Sequence, residues 1–157
     1  MALISRYRIE LGNAGDAHDI SALSAAAIEH GLRCTWTAHR VRNALNDRET
    51  NVVVARDGLR LAGFGIMTYT DASAHLNLLA VKEAYRRKGI GSALLDWLEK
   101  CARTAGLAVV KAEVRYENPA ARGFYLANGY AEGERIVGYY QGLEDALRLQ
   151  KRIYTPS

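Results

Sequence analysis

Arg86-Arg87-Lys88-Gly89-Ile90-Gly91-Ser92 is the stretch whose residue types and spacing could do chemistry. It joins an apolar run at 76–81 to a strongly helical segment at 93–101, so it reads as strand, basic glycine-bearing turn, helix. A helix start leaves backbone N–H groups without partners and carries the positive end of the helix dipole. Gly89 and Gly91 let several of those groups converge, with no Cβ in the way of an incoming group. Arg86, Arg87 and Lys88 add charge at the rim. Such a turn suits a phosphate or pyrophosphate. It is not a Walker loop, because no Gly-Lys-Ser/Thr follows the second glycine. It is not the dinucleotide fingerprint either, because the third glycine is missing and the order of elements is wrong.

The elements that must position this turn follow from periodicity and punctuation. Tyr7 to Leu11 alternates apolar and charged residues, as a first strand does. After a turn at 12–16, Asp16 or a neighbour is expected to cap a helix through Ile20, Leu23 and Ala27 that ends at Gly31. Leu32 to Trp36 interrupts regular structure, and Thr37 opens a short helix on which His39 and Arg40 read as a solvated face. Residues 51–56 and 61–70 form a hairpin about Asp57-Gly58, thinned at Gly63 and Gly65, and 75–81 is the strand that feeds the basic turn. Beyond Gly106 comes a strand at 109–116, then a helix with Asn118 as N-cap and Pro119 at its first position, closed by Asn128-Gly129. Residues 130–154 read as two strands about Gly142, with 155–157 as a tail. The order β-α-α-β-β-β-α-β-α-β-β is that of an α/β domain with a mixed sheet, and 1–157 reads as one domain.

Three local stretches carry a resemblance. The first is Leu79-Ala80-Val81 followed five residues later by R-R-K-G-I-G. The second is Glu113-Val114-Arg115-x-x-Asn118-x-Ala120-Ala121, with Tyr125 and Gly129 downstream. The third is Tyr139-Tyr140 followed shortly by Glu144-Asp145-Ala146-Leu147. Together, in this order, they resemble the GNAT superfamily of N-acetyltransferases, and within it the bacterial ribosomal-protein alanine N-acetyltransferases and related N-terminal acetyltransferases. The likeness runs from about residue 7 to the end and is strongest over 76–153. It implies a GNAT fold: a single mixed sheet of about seven strands, splayed between the fourth and fifth and flanked by about four helices. It also implies acetyl-CoA as co-substrate and direct transfer of the acetyl group to a primary amine. The expected acceptor is the N-terminal α-amine of a protein or peptide. A small-molecule amine (polyamine, amino acid or aminoglycoside) and a non-catalytic acyl-CoA-binding module are the rival readings.

By the same resemblance Glu113 is the base that frees the amine, directly or through water, and Tyr125 the acid that protonates the leaving thiolate. The strand pattern agrees for Glu113, since Lys111, Glu113 and Arg115 share one face opposite Val110, Ala112 and Val114. An α-amine with pKa near 7.7–8 is neutral in roughly one molecule in ten at pH 7, against about one lysine in 2,500, so a modest base serves it. The resemblance assigns cofactor contact to backbone groups of Leu79, Ala80 and Val81, to Arg86, Arg87, Lys88, Gly89, Ile90, Gly91 and Ser92, and to Asn118. It makes Tyr139 and Tyr140 a peptide-holding pair on the last hairpin. Leu32, Cys34 and Trp36 would face that pair across the cleft. The chain departs from the pattern in a helix-interior glycine, Gly123, which costs about 1 kcal/mol relative to alanine, and in a short segment between Tyr140 and Asp145.

Composition bounds the remainder. With 157 residues, 49% apolar and 24% charged, the chain is of an ordinary globular kind. A net charge of +4, with no cationic cluster longer than three residues, argues against nucleic acid as a partner. No apolar run approaches the roughly 18 residues of a membrane span, and the charges at Arg6, Arg8 and Glu10 do not suit a signal peptide, so a cytoplasmic protein is expected. Cys101, on the stripe Leu94, Leu98, Cys101, Ala105, reads as a buried thiol. His18, His30, His39 and His75 show no ligand spacing, so no metal is expected.

Overall fold

The computed structural model describes residues 3–4 and 7–154; the expected tail at 155–157 and residues 1, 2, 5 and 6 lie outside them. Eight strands make one sheet in the order β1-β2-β3-β4-β5-β6-β8-β7. They are β1 (Leu3–Ile4), β2 (Tyr7–Leu11), β3 (Thr50–Asp57), β4 (Arg60–Tyr69), β5 (Ala74–Val81), β6 (Val109–Arg115), β7 (Ala131–Tyr140) and β8 (Glu144–Arg152). The helices are α1 (Ala17–Ala27), α2 (Ala38–Asn46), α3 (Ile90–Thr104) and α4 (Pro119–Ala127). The strand beyond the expected seven is β1, a two-residue ladder on β2 that is too short to show a period in sequence.

Alternation along β3 divides the core. Val53 and Ala55 face α3 and α4 with Leu94, Leu95 and Leu98, whereas Val52 and Val54 face α1 and α2 with Ile20, Val41 and Phe64. A strand covered on both faces becomes a continuous apolar run, as 52–55 is. The glycines of β4 let it pack closely: a Cβ on Gly63 would lie 2.8 Å from the Ala80 carbonyl oxygen, and one on Gly65 2.8 Å from Leu98 Cδ1.

The first helix starts differently from expectation. Asn13 caps a 3-10 turn (Ala14–Asp16) that leads into α1, accepting from the Gly15 N–H, while Asp16 Oδ2 accepts from the Asn13 N–H at 2.8 Å. Asp16 is engaged elsewhere, since both of its oxygens take hydrogen bonds from Arg56 at 2.8 and 2.9 Å. The helix also ends at Ala27, four residues before the left-handed Gly31 (φ +78°).

The joint that matters for function lies between β5 and β6. They pair in parallel only over Ala74↔Val110, His75↔Lys111 and Leu76↔Ala112. Beyond that point β5 continues on β4 as far as Val81, and β6 continues on β8 as far as Arg115, so the two halves of the sheet splay apart. Strand β5 then presents backbone groups to a gap instead of a neighbour.

Candidate active site

A cavity of about 1130 Å³ fills the splay and runs from the N-terminus of α3 to the loop between α1 and α2. At the α3 end it is lined by Leu79, Ala80, Val81, Arg86, Arg87, Gly89, Ile90, Gly91, Ser92 and Asn118. Of the residues expected at this end only Lys88 lies off the wall; it is exposed, between two residues with left-handed backbone. Arg87 has φ +63° and Gly89 φ +80°, which curls the turn so that the N–H groups of Ile90, Gly91 and Ser92 open the helix with no carbonyl four residues behind them. A Cβ on Gly91 would lie 3.1 Å from Phe124 Cε1, so α3 meets α4 closely here. Arg86 also braces the strand, donating from Nε to the Val81 carbonyl at 3.1 Å. Asn118 caps α4 by accepting from the Ala121 N–H at 3.1 Å and lines the cavity as well.

Glu113 and Tyr125 meet in the middle. The side chain of Glu113 is 6% exposed and accepts three hydrogen bonds, from His75 Nε2 at 2.5 Å, the Tyr139 hydroxyl at 3.0 Å and Arg148 Nε at 3.2 Å. Burial pushes its carboxyl up, but His75, Tyr139 and Arg148 outweigh burial and hold it below the ordinary value. Tyr125 is buried in α4 among Phe124 and Tyr130, edge-on to both rings, and it lines the cavity. Burial, with Tyr140 and Glu113 nearby, raises its hydroxyl well above the ordinary value, so it stays protonated. Tyr139 is pushed up to about 12 by burial and by Glu113.

The far end is a junction of loop and hairpin. Leu32, Trp36, Tyr139 and Tyr140 line it, whereas Cys34 is exposed and off the wall. Trp36 is half buried against the α1–α2 core, and Arg40 lies over its ring at 3.8 Å. Two struts join the loop to the sheet. Gln141, left-handed at φ +58°, accepts from the Arg33 N–H at 3.0 Å and donates to the Arg33 carbonyl at 2.7 Å. Arg115 donates to the His30 carbonyl at 2.6 Å and pairs with Glu144 at 3.1 Å. Glu29 holds the loop in shape, its carboxylate taking the N–H groups of Thr35 and Trp36 and the Thr35 hydroxyl.

Sequence reading misses His75, Arg148, Arg40 and Gln141. The strand alternation in β5 puts His75 on the face of Asn77 and Leu79, but only the parallel register with β6 brings it beside Glu113. Thr68 donates to Asn77 Oδ1 at 2.8 Å, leaving the Asn77 amide nitrogen 3.5 Å from His75 Nδ1, an arrangement that presents the other ring nitrogen as donor to Glu113.

The acetyltransferase (GNAT) family model matches residues 20–130. The chain belongs to that family. It is 31% identical over 115 residues to the [ribosomal protein bS18]-alanine N-acetyltransferase of Escherichia coli, spanning 71% of this chain and 77% of that protein. The crystal structure of the E. coli ribosomal-protein-S18-alanine N-acetyltransferase superposes with a TM-score of 0.80 at 24% identity over 96% of each chain. An uncharacterized N-acetyltransferase of Methanocaldococcus jannaschii is 35% identical over 94 residues, 59% of this chain and 60% of that protein's length. An aminoglycoside 6'-N-acetyltransferase crystallised with coenzyme A shares the fold at TM-score 0.79 and 19% identity, over 96% of this chain and 99% of that one. The chain is thus an acetyl-CoA-dependent acyltransferase of the GNAT fold, the mixed sheet splayed at its parallel pair. No helix among the described residues is long and apolar enough to cross a membrane.

Proposed function

We propose that this N-acetyltransferase, acting as one domain over 1–157, transfers acetyl to the N-terminal α-amine of a protein or peptide. The observation that carries the reading is the roof over the acceptor end. Gln141 and Arg115 tie the α1–α2 loop to β6 and the last hairpin just beyond Glu113, which favours the slim end of a chain over a broad acceptor. The 31% identical E. coli relative, named for alanine N-acetylation of a ribosomal protein, supports the same class.

The residues divide the work. N–H groups at Ile90, Gly91 and Ser92, with Arg87 at the rim, suit the pyrophosphate of the co-substrate. Backbone groups of Leu79, Ala80 and Val81 that face the gap suit its pantetheine arm, and an N–H there suits the thioester oxygen as charge develops on it. Glu113 draws a proton from the ammonium, through water or directly, and His75 and Tyr139 hold the carboxylate in place. The neutral amine attacks the thioester carbonyl, the C–S bond breaks, and Tyr125 gives its proton to the departing thiolate; the second proton of the attacking nitrogen leaves as the amide forms and restores the tyrosine hydroxyl. A thiolate in the same buried gap is itself made more basic by burial, which offsets the raised Tyr125. A polyamine would call for unpaired carboxylates at the acceptor end, yet there Glu113 is paired with Arg148 and Glu144 with Arg115.

The test is acetyl transfer from labelled acetyl-CoA to short peptides with free or blocked N-termini, alongside spermidine and free amino acids. Transfer confined to free N-termini is expected. Transfer to small amines alone would overturn the α-amine assignment.

A further inference from the structure

We infer that Arg40, stacked on Trp36 in the acceptor wall, is a subsite for an acidic side chain within the first few residues of the acceptor. The inference rests on the α-amine reading and adds what kind of N-terminus is accepted.

Charge accounting at the acceptor end singles out this residue. Glu113 is paired with His75 and Arg148, and Arg115 with Glu144. The buried Glu29 carboxylate is taken up by three donors of the loop. Arg86 and Arg87 sit at the far, phosphate-binding end, as does Glu117 beside Asn118. Arg40 has no carboxylate within ion-pairing distance among the described residues; the one hydrogen bond of its side chain is a long one, 3.4 Å from Nη1 to the Thr35 carbonyl.

Its place in the helix is mildly unfavourable for a cation. Thr37 caps α2 by accepting from the Arg40 N–H, so Arg40 lies in the first turn, where the dipole disfavours a cation, and that turn holds no acidic residue. What offsets this is the stack: the guanidinium carbon lies over the Trp36 ring, 3.8 Å from its centroid, while the side chain stays exposed and open to a further partner. An exposed guanidinium suits bidentate contact with a carboxylate. The cavity wall that carries it, with Leu32 and Trp36, faces Tyr139 and Tyr140. A chain whose amine reaches Glu113 would pass along this wall.

The experiment uses peptides identical except for Asp, Ser or Lys at the second or third residue, with kcat and KM measured for the wild type, Arg40→Ala and Arg40→Glu. The wild type is expected to favour an acidic peptide over its lysine counterpart by about tenfold or more in kcat/KM, mostly through KM. The preference should shrink as salt rises. Arg40→Ala should flatten it and Arg40→Glu reverse it, with the KM for acetyl-CoA unchanged in both. Equal use of acidic and basic peptides by the wild type, or a preference that survives Arg40→Glu, overturns the subsite and leaves the α-amine reading standing. Failure to acetylate any free N-terminus, with spermidine or amino acids acetylated instead, overturns both.

Discussion

Tyr125 and Glu113 are two titratable groups whose surroundings push them in opposite directions, one kept protonated and one kept ionised. That is the division an acid and a base require before the reaction begins. Tyr125→Phe keeps the ring that packs on Phe124 and Tyr130 and removes only the proton. It is expected to lower kcat by roughly 10²–10⁴ with coenzyme A affinity nearly unchanged, measured by steady-state kinetics and calorimetry; an unaltered kcat would reduce Tyr125 to a core residue. The pH dependence follows from the sign of the Glu113 shift. A carboxyl held below its ordinary value is ionised at every pH where the fold is stable, so a rise of kcat/KM between pH 6 and 9 belongs to the acceptor amine, near 7.7–8 for an α-amine. Glu113→Gln should therefore lower the whole profile without moving its midpoint. A midpoint that moves would assign the titration to Glu113 itself.

At the scale of elements, what is legible in sequence is local. The glycine-and-arginine turn before α3 and the Asn118-Pro119 start of α4 carry their signals within a few residues, and both stand where expected. Parallel register is not local, so nothing in sequence brings His75 to Glu113. The pairing of Gln141 with Arg33 spans 108 residues and depends on a left-handed glutamine that no turn rule singles out. The side-chain cap stands at Asn13, on the 3-10 turn before α1, for a similar reason: a distant Arg56 occupies the nearer candidate, Asp16. Two glycines separate the demands of binding from those of stability. Gly89 is left-handed at the turn proposed to bind phosphate, so Gly89→Val forces a β-branched residue into φ +80° and should weaken coenzyme A binding by about five- to 150-fold, the equivalent of about 1–3 kcal/mol for such strain, read by calorimetry. Gly123 is exposed in α4, and an added Cβ there meets nothing within 4 Å. Gly123→Ala should raise stability by about 0.5–1 kcal/mol in chemical denaturation and leave turnover as it was.

At the scale of the whole molecule, the splay is possible because each half of the sheet is held without the other. On the β2–β5 side a charged network does part of this work, far from the cavity. Arg56 in β3, 10% exposed at its side chain, binds both oxygens of Asp16 and reaches Glu10 in β2 at 2.6 Å, joining the first strand and the entry to α1 to the sheet. Burial pushes the Asp16 carboxyl up, but Arg56 and the Asn13 N–H outweigh it; for Glu10 the Arg56 bond is the largest influence, and both carboxyls end below their ordinary values. The stabilisation from a lowered carboxyl is fully present above its unfolded pKa, near 4, and is lost as pH falls through the lowered folded value. Removing the cation and keeping its bulk, in Arg56→Met, strands a buried carboxylate. The expected cost is about 3 kcal/mol at neutral pH, or roughly 6–12 °C in Tm for a chain of this size. In that variant the carboxyls regain ordinary or higher values, so acidification from pH 5 to 3 should destabilise it less than the wild type, or not at all. Because the network touches neither the turn before α3 nor Glu113, coenzyme A affinity below the melting transition should be unchanged. A matched fall in affinity and stability would mean that the network and the turn before α3, which belong to the same half of the sheet, are coupled through it.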